Sequence, residues 1–217
     1  MPGNDQERGG PRLTRRQLAG ASLAGSAALV IAACGGSQDS GTTTAAAPAG
    51  GTTLDPTPAC GHGDATLEQT EGPFFAPDSP ERSSLLEPGI AGAPLVLAGR
   101  VLDTSCRPIP GALLDFWQAD GEGAYDNDGY RLRGHQFADA GGRYRLETVV
   151  PGLYEGRTRH LHVKAQPQGG ALLTTQLYLP REPANGSDPI FDPALLLTEL
   201  PADGGSRARF DFVLQAG

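Results

Sequence analysis

Basic residues are scarce in this chain. Its 217 residues carry 17 Lys and Arg against 25 Asp and Glu, a net charge of −8, and Lys164 is the sole lysine. Binding a nucleic-acid backbone requires clustered cations, so the composition argues against that partner. The same deficit argues against a broad electrostatic hold on anionic lipid. Long apolar runs are also lacking. The stretch ending Val30-Ile31-Ala32-Ala33 is too short and too rich in glycine to read as a spanning helix. Helix signals are sparse, and the Gly-x-Ser-x-Gly element of a serine hydrolase does not occur. The acidic residues read as a solvated surface and not as a paired-carboxylate hydrolase. Cysteine is limited to Cys34, Cys60 and Cys106.

What the N-terminal part does contain is an export signal. Arg12-Leu13-Thr14-Arg15-Arg16-Gln17-Leu18 has the twin-arginine pattern, and a mildly apolar run follows it. Ile31-Ala32-Ala33-Cys34 resembles the bacterial lipobox, which implies cleavage before Cys34 and lipidation of that residue. Residues 1–33 are read as a signal peptide and 34–58 as a lipidated cysteine with a tether of Gly, Ser, Thr, Ala and Pro. Residues 59–217 are read as one domain. The expected location is the outer face of the bacterial cytoplasmic membrane, with membrane contact through the lipid alone. The twin-arginine route carries folded proteins, which suits a protein that takes up a metal before export. In an oxidising compartment Cys60 and Cys106 read as a disulfide.

Strand signals recur along the domain with Gly/Pro punctuation between them. Strands are expected at 95–103, 112–118, 142–149, 160–165, 172–179 and 208–214, with long loops at 120–134 and 180–196. Six or more short strands predict an all-β fold, an antiparallel β-sandwich or related barrel. Long loops on a rigid sheet are where function concentrates.

Arg159-His160-Leu161-His162-Val163-Lys164 carries the chemistry. Strand alternation sends His160 and His162 to one face and Leu161 and Val163 to the other. Two tyrosine-bearing segments, Gly121–Tyr125 and Pro151–Arg157, precede it. Zinc favours Cys, His and carboxylate, and calcium and magnesium favour oxygen without imidazole. Two phenolates with two neutral imidazoles suit a hard trivalent ion, and ferric iron is the natural candidate. Tyr130 is the alternative first tyrosine. Tyr144 and Tyr178 read as strand-face and core-edge residues, and His62 and His135 as structural or exposed.

Several ordered segments resemble the intradiol ring-cleavage dioxygenases, a family that includes catechol, hydroxyquinol and protocatechuate 3,4-dioxygenases. They are Thr70-Glu71-Gly72-Pro73-Phe74-Phe75, Gly99–Asp103, Pro110–Asp120 with Gly123-Ala124-Tyr125, Arg133–Gln136, Asp139–Tyr144, Pro151–Tyr154, Arg157, His160-Leu161-His162 and Thr174–Tyr178. The resemblance covers about 66–190. It implies the family's sandwich fold and one Fe(III) per chain, held by Tyr125, Tyr154, His160 and His162. It implies that Tyr154 doubles as a base, that Arg157 is the active-site arginine, and that Gln176 lies beside the substrate. Pro73 and Trp117 match positions at the pocket wall. The implied reaction takes a small aromatic diol and O2 to a cis,cis-muconate-type diacid. A homo-oligomer is compatible with it. The chain departs from the family in two ways. The helical N-terminal segment of the catechol enzymes has no room here, so dimerisation through it is not expected. Arg159 stands where many relatives carry a small residue. The competing expectation is a non-catalytic β-sandwich lipoprotein that binds a carbohydrate or a protein.

Overall fold

The computed structural model describes Cys60 and residues 64–202 and 205–215. The twin-arginine signal, Cys34, the tether and His62 lie outside the described residues. Nine strands form two sheets. They are β1 (Pro94–Asp103), β2 (Leu113–Trp117), β3 (Arg133–Phe137), β4 (Arg143–Val149), β5 (His160–Gln166), β6 (Leu173–Tyr178), β7 (Thr198–Leu200), β8 (Ser206–Arg209) and β9 (Phe212–Leu214). One sheet runs β3-β2-β5-β6 and is antiparallel throughout. The other runs β4-β1-β8-β7, with β9 also on β1.

That second sheet is mixed, a difference from the expected antiparallel pattern. The chain end returns alongside the ten-residue β1 in the same direction. β8 pairs with Leu95–Ala98 and β9 with Val101–Asp103. Between them the ladder is interrupted at Phe210 and Asp211, and the Asp211 carboxylate accepts from the Arg100 N–H at 2.9 Å. A side chain there replaces the missing backbone partner.

The core lies between the sheets. Leu114 and Phe116 of β2, Leu161 and Val163 of β5 and Leu177 of β6 face inward. They share one cluster with Leu97, Leu146 and Phe212 of the opposing sheet. All are at most 1% exposed, so each contributes roughly 1.5–3 kcal/mol from burial. Because side chains alternate, the polar members of the same strands are forced onto the outer face.

On that outer face the register aligns residues of four strands. Trp117 pairs with Arg133 on one side and with His162 on the other, and His162 pairs with Gln176. His160 pairs with Tyr178. Cys60 and Cys106 are joined by a disulfide, with Cα atoms 5.5 Å apart.

Candidate metal centre

The outer face of the four-stranded sheet is covered by loops, and the covering loops supply the tyrosines. Two glycines bring those loops together. A Cβ on Gly123 would stand 2.1 Å from the Leu153 carbonyl oxygen, and one on Gly152 would stand 2.3 Å from the Gly123 nitrogen. Only backbone without side chains can approach so closely. Gly152 N–H also donates to the Asp120 carbonyl at 2.6 Å. Tyr125 and Tyr154, two residues beyond these contacts, therefore meet edge to face with centroids 5.5 Å apart. Phe74 stacks on Tyr125 at 4.3 Å and meets Tyr154 edge-on at 5.2 Å, holding both rings.

Three donor atoms converge above β5. His160 Nε2 and His162 Nε2 are 3.2 Å apart, and Tyr125 Oη is 3.5 Å from His160 Nε2. His160 Nδ1 lies 2.6 Å from the Thr158 carbonyl, so Nδ1 carries the proton and Nε2 presents its lone pair. Burial, with Arg157 nearby, lowers the His160 pKa to about 4 despite the Thr158 bond. Burial also pushes His162 well below its ordinary value, helped by His160, Arg157 and Arg133. Both imidazoles are neutral near pH 7, the form that binds metals. Burial raises the Tyr125 phenol to about 12, so it loses its proton only to a strong local positive charge.

Two nitrogens each about 2.1 Å from a shared ion lie no more than about 4.2 Å apart, and the observed spacing fits within that limit. Among the described residues no trio of His, Cys, Asp or Glu gathers in this way. The donor set that does gather is imidazole and phenol. That mixture suits ferric iron better than zinc or calcium.

Tyr154 joins the cluster by its ring. Partial burial and the neighbouring Glu155 carboxylate raise the pKa of that phenol. Arg157 donates from Nε to Asp188 at 2.9 Å and from a terminal nitrogen to Gln176 Oε1 at 2.6 Å. Gln176 is fully buried and donates to the Thr70 carbonyl at 2.9 Å, so it meets the site through Arg157. Trp117 is buried and lies parallel to His162, centroids 4.8 Å apart. Pro73 is exposed, next to Gly72, whose Cα side faces the His162 ring.

Of the remaining tyrosines, Tyr178 borders the cluster, its ring centroid 6.3 Å from that of His160 and its hydroxyl 3.3 Å from Gln176 Oε1, while Tyr130 and Tyr144 lie elsewhere. Tyr130 is exposed and donates to the Pro77 carbonyl at 3.0 Å, away from the imidazoles. Tyr144 is buried and donates to the Phe210 carbonyl. His135 has a structural contact, with Nδ1 2.6 Å from the Ser79 carbonyl. Arg159 turns away from the donors to Pro151 O and the Glu182 carboxylate, tying two loops together. Asp188, Phe74 and Arg133 carry parts of the site that sequence reasoning did not assign. Asp188 sits in Ser187-Asp188-Pro189, which reads as an ordinary turn, and Phe74 and Arg133 are recognisable only by what they touch.

An all-β sandwich with imidazole and phenol donors gathered under loops on one outer face defines the class. The chain belongs to the intradiol ring-cleavage dioxygenase family, and the dioxygenase family model matches it over residues 70–216. It is 30% identical over 192 residues to a hydroxyquinol 1,2-dioxygenase of Nocardioides simplex, covering 70% of this chain and 66% of that one. It is 33% identical to a hydroxyquinol 1,2-dioxygenase of Rhodococcus opacus, covering 55% of this chain and 48% of that one. The chain thus spans between about half and two-thirds of these relatives' length. Among solved structures it resembles the dioxygenase domain of a dioxygenase carbohydrate-binding protein fusion from Streptomyces sp. SirexAA-E. That match has 55% identity and a TM-score of 0.69, over 71% of this chain and all of that one. It also resembles 3-chlorocatechol 1,2-dioxygenase from Rhodococcus opacus 1CP, with 31% identity and a TM-score of 0.65, over 70% of this chain and 72% of that one.

Proposed function

We propose that this protein is a non-haem Fe(III) intradiol dioxygenase that cleaves a small aromatic diol with O2 to a cis,cis-muconate-type diacid. The observation that carries this reading is the convergence of donors on His160 Nε2, which lies 3.2 Å from His162 Nε2 and 3.5 Å from Tyr125 Oη, beside Arg157. The relatives' hydroxyquinol and chlorocatechol activities support the substrate class.

When bound, ferric iron supplies Lewis acidity that ionises the diol and draws electron density from its ring. His160, His162 and Tyr125 would hold the ion, and Tyr154 would complete the set. Two phenolates offset two of its three positive charges, which limits the cost of net charge in a poorly solvated cleft. Tyr154, once ionised, would accept a diol proton at Oη, and the burial and Glu155 that raise its pKa favour the protonated form. Arg157 is a fixed cation facing negative charge that develops on the ring. Trp117 and Phe74 exclude water and keep the ligating rings in place. The N-terminal signal and Cys34 support an exported, lipid-anchored location, where such diols arrive from outside the cell.

The test is direct. Protein expressed with iron should carry one iron per chain and show a reddish tyrosinate-to-iron charge-transfer band. An anaerobic diol should shift that band, and oxygen uptake should match diol consumed one to one. A colourless protein that stays metal-free under iron supplementation, and consumes no oxygen with any diol, would overturn the proposal.

A further inference from the structure

One carboxylate behind the donor cluster has a fully buried side chain and no part in holding the ion. Asp188 comes from the loop after β6, and its side chain has no solvent exposure. Its Oδ2 accepts from Arg157 Nε at 2.9 Å and from the Thr158 backbone N–H at 2.9 Å. Its Oδ1 accepts from the Ile190 N–H at 3.1 Å. The hydrogen bonds lower its pKa against the pull of burial, so it is an anion opposite the Arg157 cation.

The partners of Asp188 lead into the site by two routes. Arg157, gripped at Nε, reaches with a terminal nitrogen to Gln176 Oε1 at 2.6 Å, and Gln176 pairs across the sheet with His162. Thr158, gripped at its N–H, is fully buried, and its carbonyl binds His160 Nδ1. The same loop holds Thr158 a second time, through Asn185 Oδ1 and the Thr158 hydroxyl at 2.6 Å. Arginine has a long side chain with high rotamer freedom. A guanidinium held only by Gln176 would retain rotation about its stem. An ion pair at Nε removes that freedom.

We propose that Asp188 is a positioning residue that fixes the Arg157 guanidinium at the face where the diol reacts, and that its effect on turnover runs through Arg157, because Asn185 holds Thr158 independently at 2.6 Å. The proposal rests on the ferric dioxygenase reading for its effect on rate, but its structural half does not need iron. The first measurement uses metal-free protein and the 15N resonance of Arg157 Nε–H, assigned by its disappearance in Arg157→Lys. In the wild type this proton should exchange slowly with solvent. In Asp188→Ala it should exchange at least about tenfold faster, and Asp188→Asn should fall between the two because it keeps an acceptor oxygen and loses the charge. Unchanged protection in both variants would overturn the proposal.

The second measurement uses the iron-loaded chain. Partners behind a catalytic group typically change activity by about 10–100-fold. Asp188→Ala should lower kcat within that range, with iron content and the charge-transfer band retained and KM within about threefold. Arg157→Ala should show a similar loss, and the double variant should be no slower than Arg157→Ala alone. A further drop of the same size in the double variant would show that Asp188 acts independently, and would sink the idea. Should Asp188→Ala fail to fold, Asp188→Asn carries both measurements. A wild type that binds no iron defeats the functional reading, while the exchange measurement still decides whether Asp188 holds Arg157.

Discussion

Trp117 lies flat against His162, with ring centroids 4.8 Å apart and planes inclined by 8°. The pair faces across β2 and β5, so the register of the sheet sets the stack. On its other flank Trp117 meets Phe75 edge-on at 4.9 Å. Phe75 in turn carries the Lys164 ammonium 3.5 Å above its ring, and that ammonium pairs with Glu71 at 2.5 Å. The lone lysine of the chain thus pins the 71–75 segment over the imidazole. A His-x-His pair on an open sheet would have many rotamers, and here the layer of rings and the burial of His162 restrict that freedom.

Trp117→Ala should therefore act twice. Deleting a buried tryptophan costs about 3–5 kcal/mol of stability, and His162 gains freedom it must lose again on binding a metal. The expected outcome is a lower Tm together with weaker retention of iron against a chelator, while Trp117→Phe keeps most of both. Thermal melts and chelator competition check this, and an Ala variant that melts lower but holds iron as tightly would show that the stack serves stability alone.

The two imidazoles make the metal-free protein acid-sensitive. His160 is lowered from 6.5 to about 4 in the folded state, mainly by burial, and His162 is lowered too. Between about pH 6.5 and pH 4 the unfolded chain binds more protons than the folded one, so stability falls as pH falls through that window. For His160 alone the loss amounts to roughly 3 kcal/mol by pH 4. Urea unfolding of metal-free protein from pH 7 to pH 4 should show this decline. His160→Gln should flatten it, and an equally steep curve in that variant would assign the acid lability elsewhere.

Much of this site was legible before any coordinates. His160 and His162 fall on one face because a strand alternates, and the apolar Leu161 and Val163 announce which face is core. The two tyrosines were legible only through the ordered resemblance, because a tyrosine after a turn looks the same whether it binds metal or solvent. Tyr125 and Tyr130 differ in nothing local, and the glycine contact between Gly123 and Leu153 separates them. The parallel return of β8 and β9 was not legible either. Strand direction depends on which distant segment supplies the partner, and the alternating pattern at 208–214 is the same for both directions. Asp188 was hidden for a similar reason, since its partners lie about thirty residues away in sequence.

Gly72 is a second point where backbone geometry bears on the candidate metal site. Its φ is +72°, and a Cβ there would stand 3.2 Å from His162 Cε1. Gly72→Ala should cost about 1–2 kcal/mol from the left-handed backbone alone, and the added methyl should press on the imidazole. The expected result is a modest fall in Tm with a larger fall in iron affinity. A control, Gly89→Ala, has similar positive φ with nothing within 4 Å of the new Cβ, so it should lower Tm without touching iron. Equal iron affinity in the two variants would remove Gly72 from the account of the site.

The two phenols should separate cleanly. Tyr125 Oη stands 3.5 Å from His160 Nε2, whereas Tyr154 joins the cluster by an edge-to-face ring contact beside the Glu155 carboxylate that raises its pKa. Under the proposed ferric reading, Tyr125 would hold the ion and Tyr154 would be the phenol that takes a proton. Tyr125→Phe should lose most of the bound iron and with it the charge-transfer band. Tyr154→Phe should keep iron, with a weaker and shifted band because one phenolate donor is gone, and should lose activity by about 10²–10⁴ as expected for removal of a general base. Metal analysis, visible spectra and oxygen uptake on the two variants distinguish the roles. Equal loss of iron in both would make the phenols interchangeable anchors and leave the proton without an assigned acceptor.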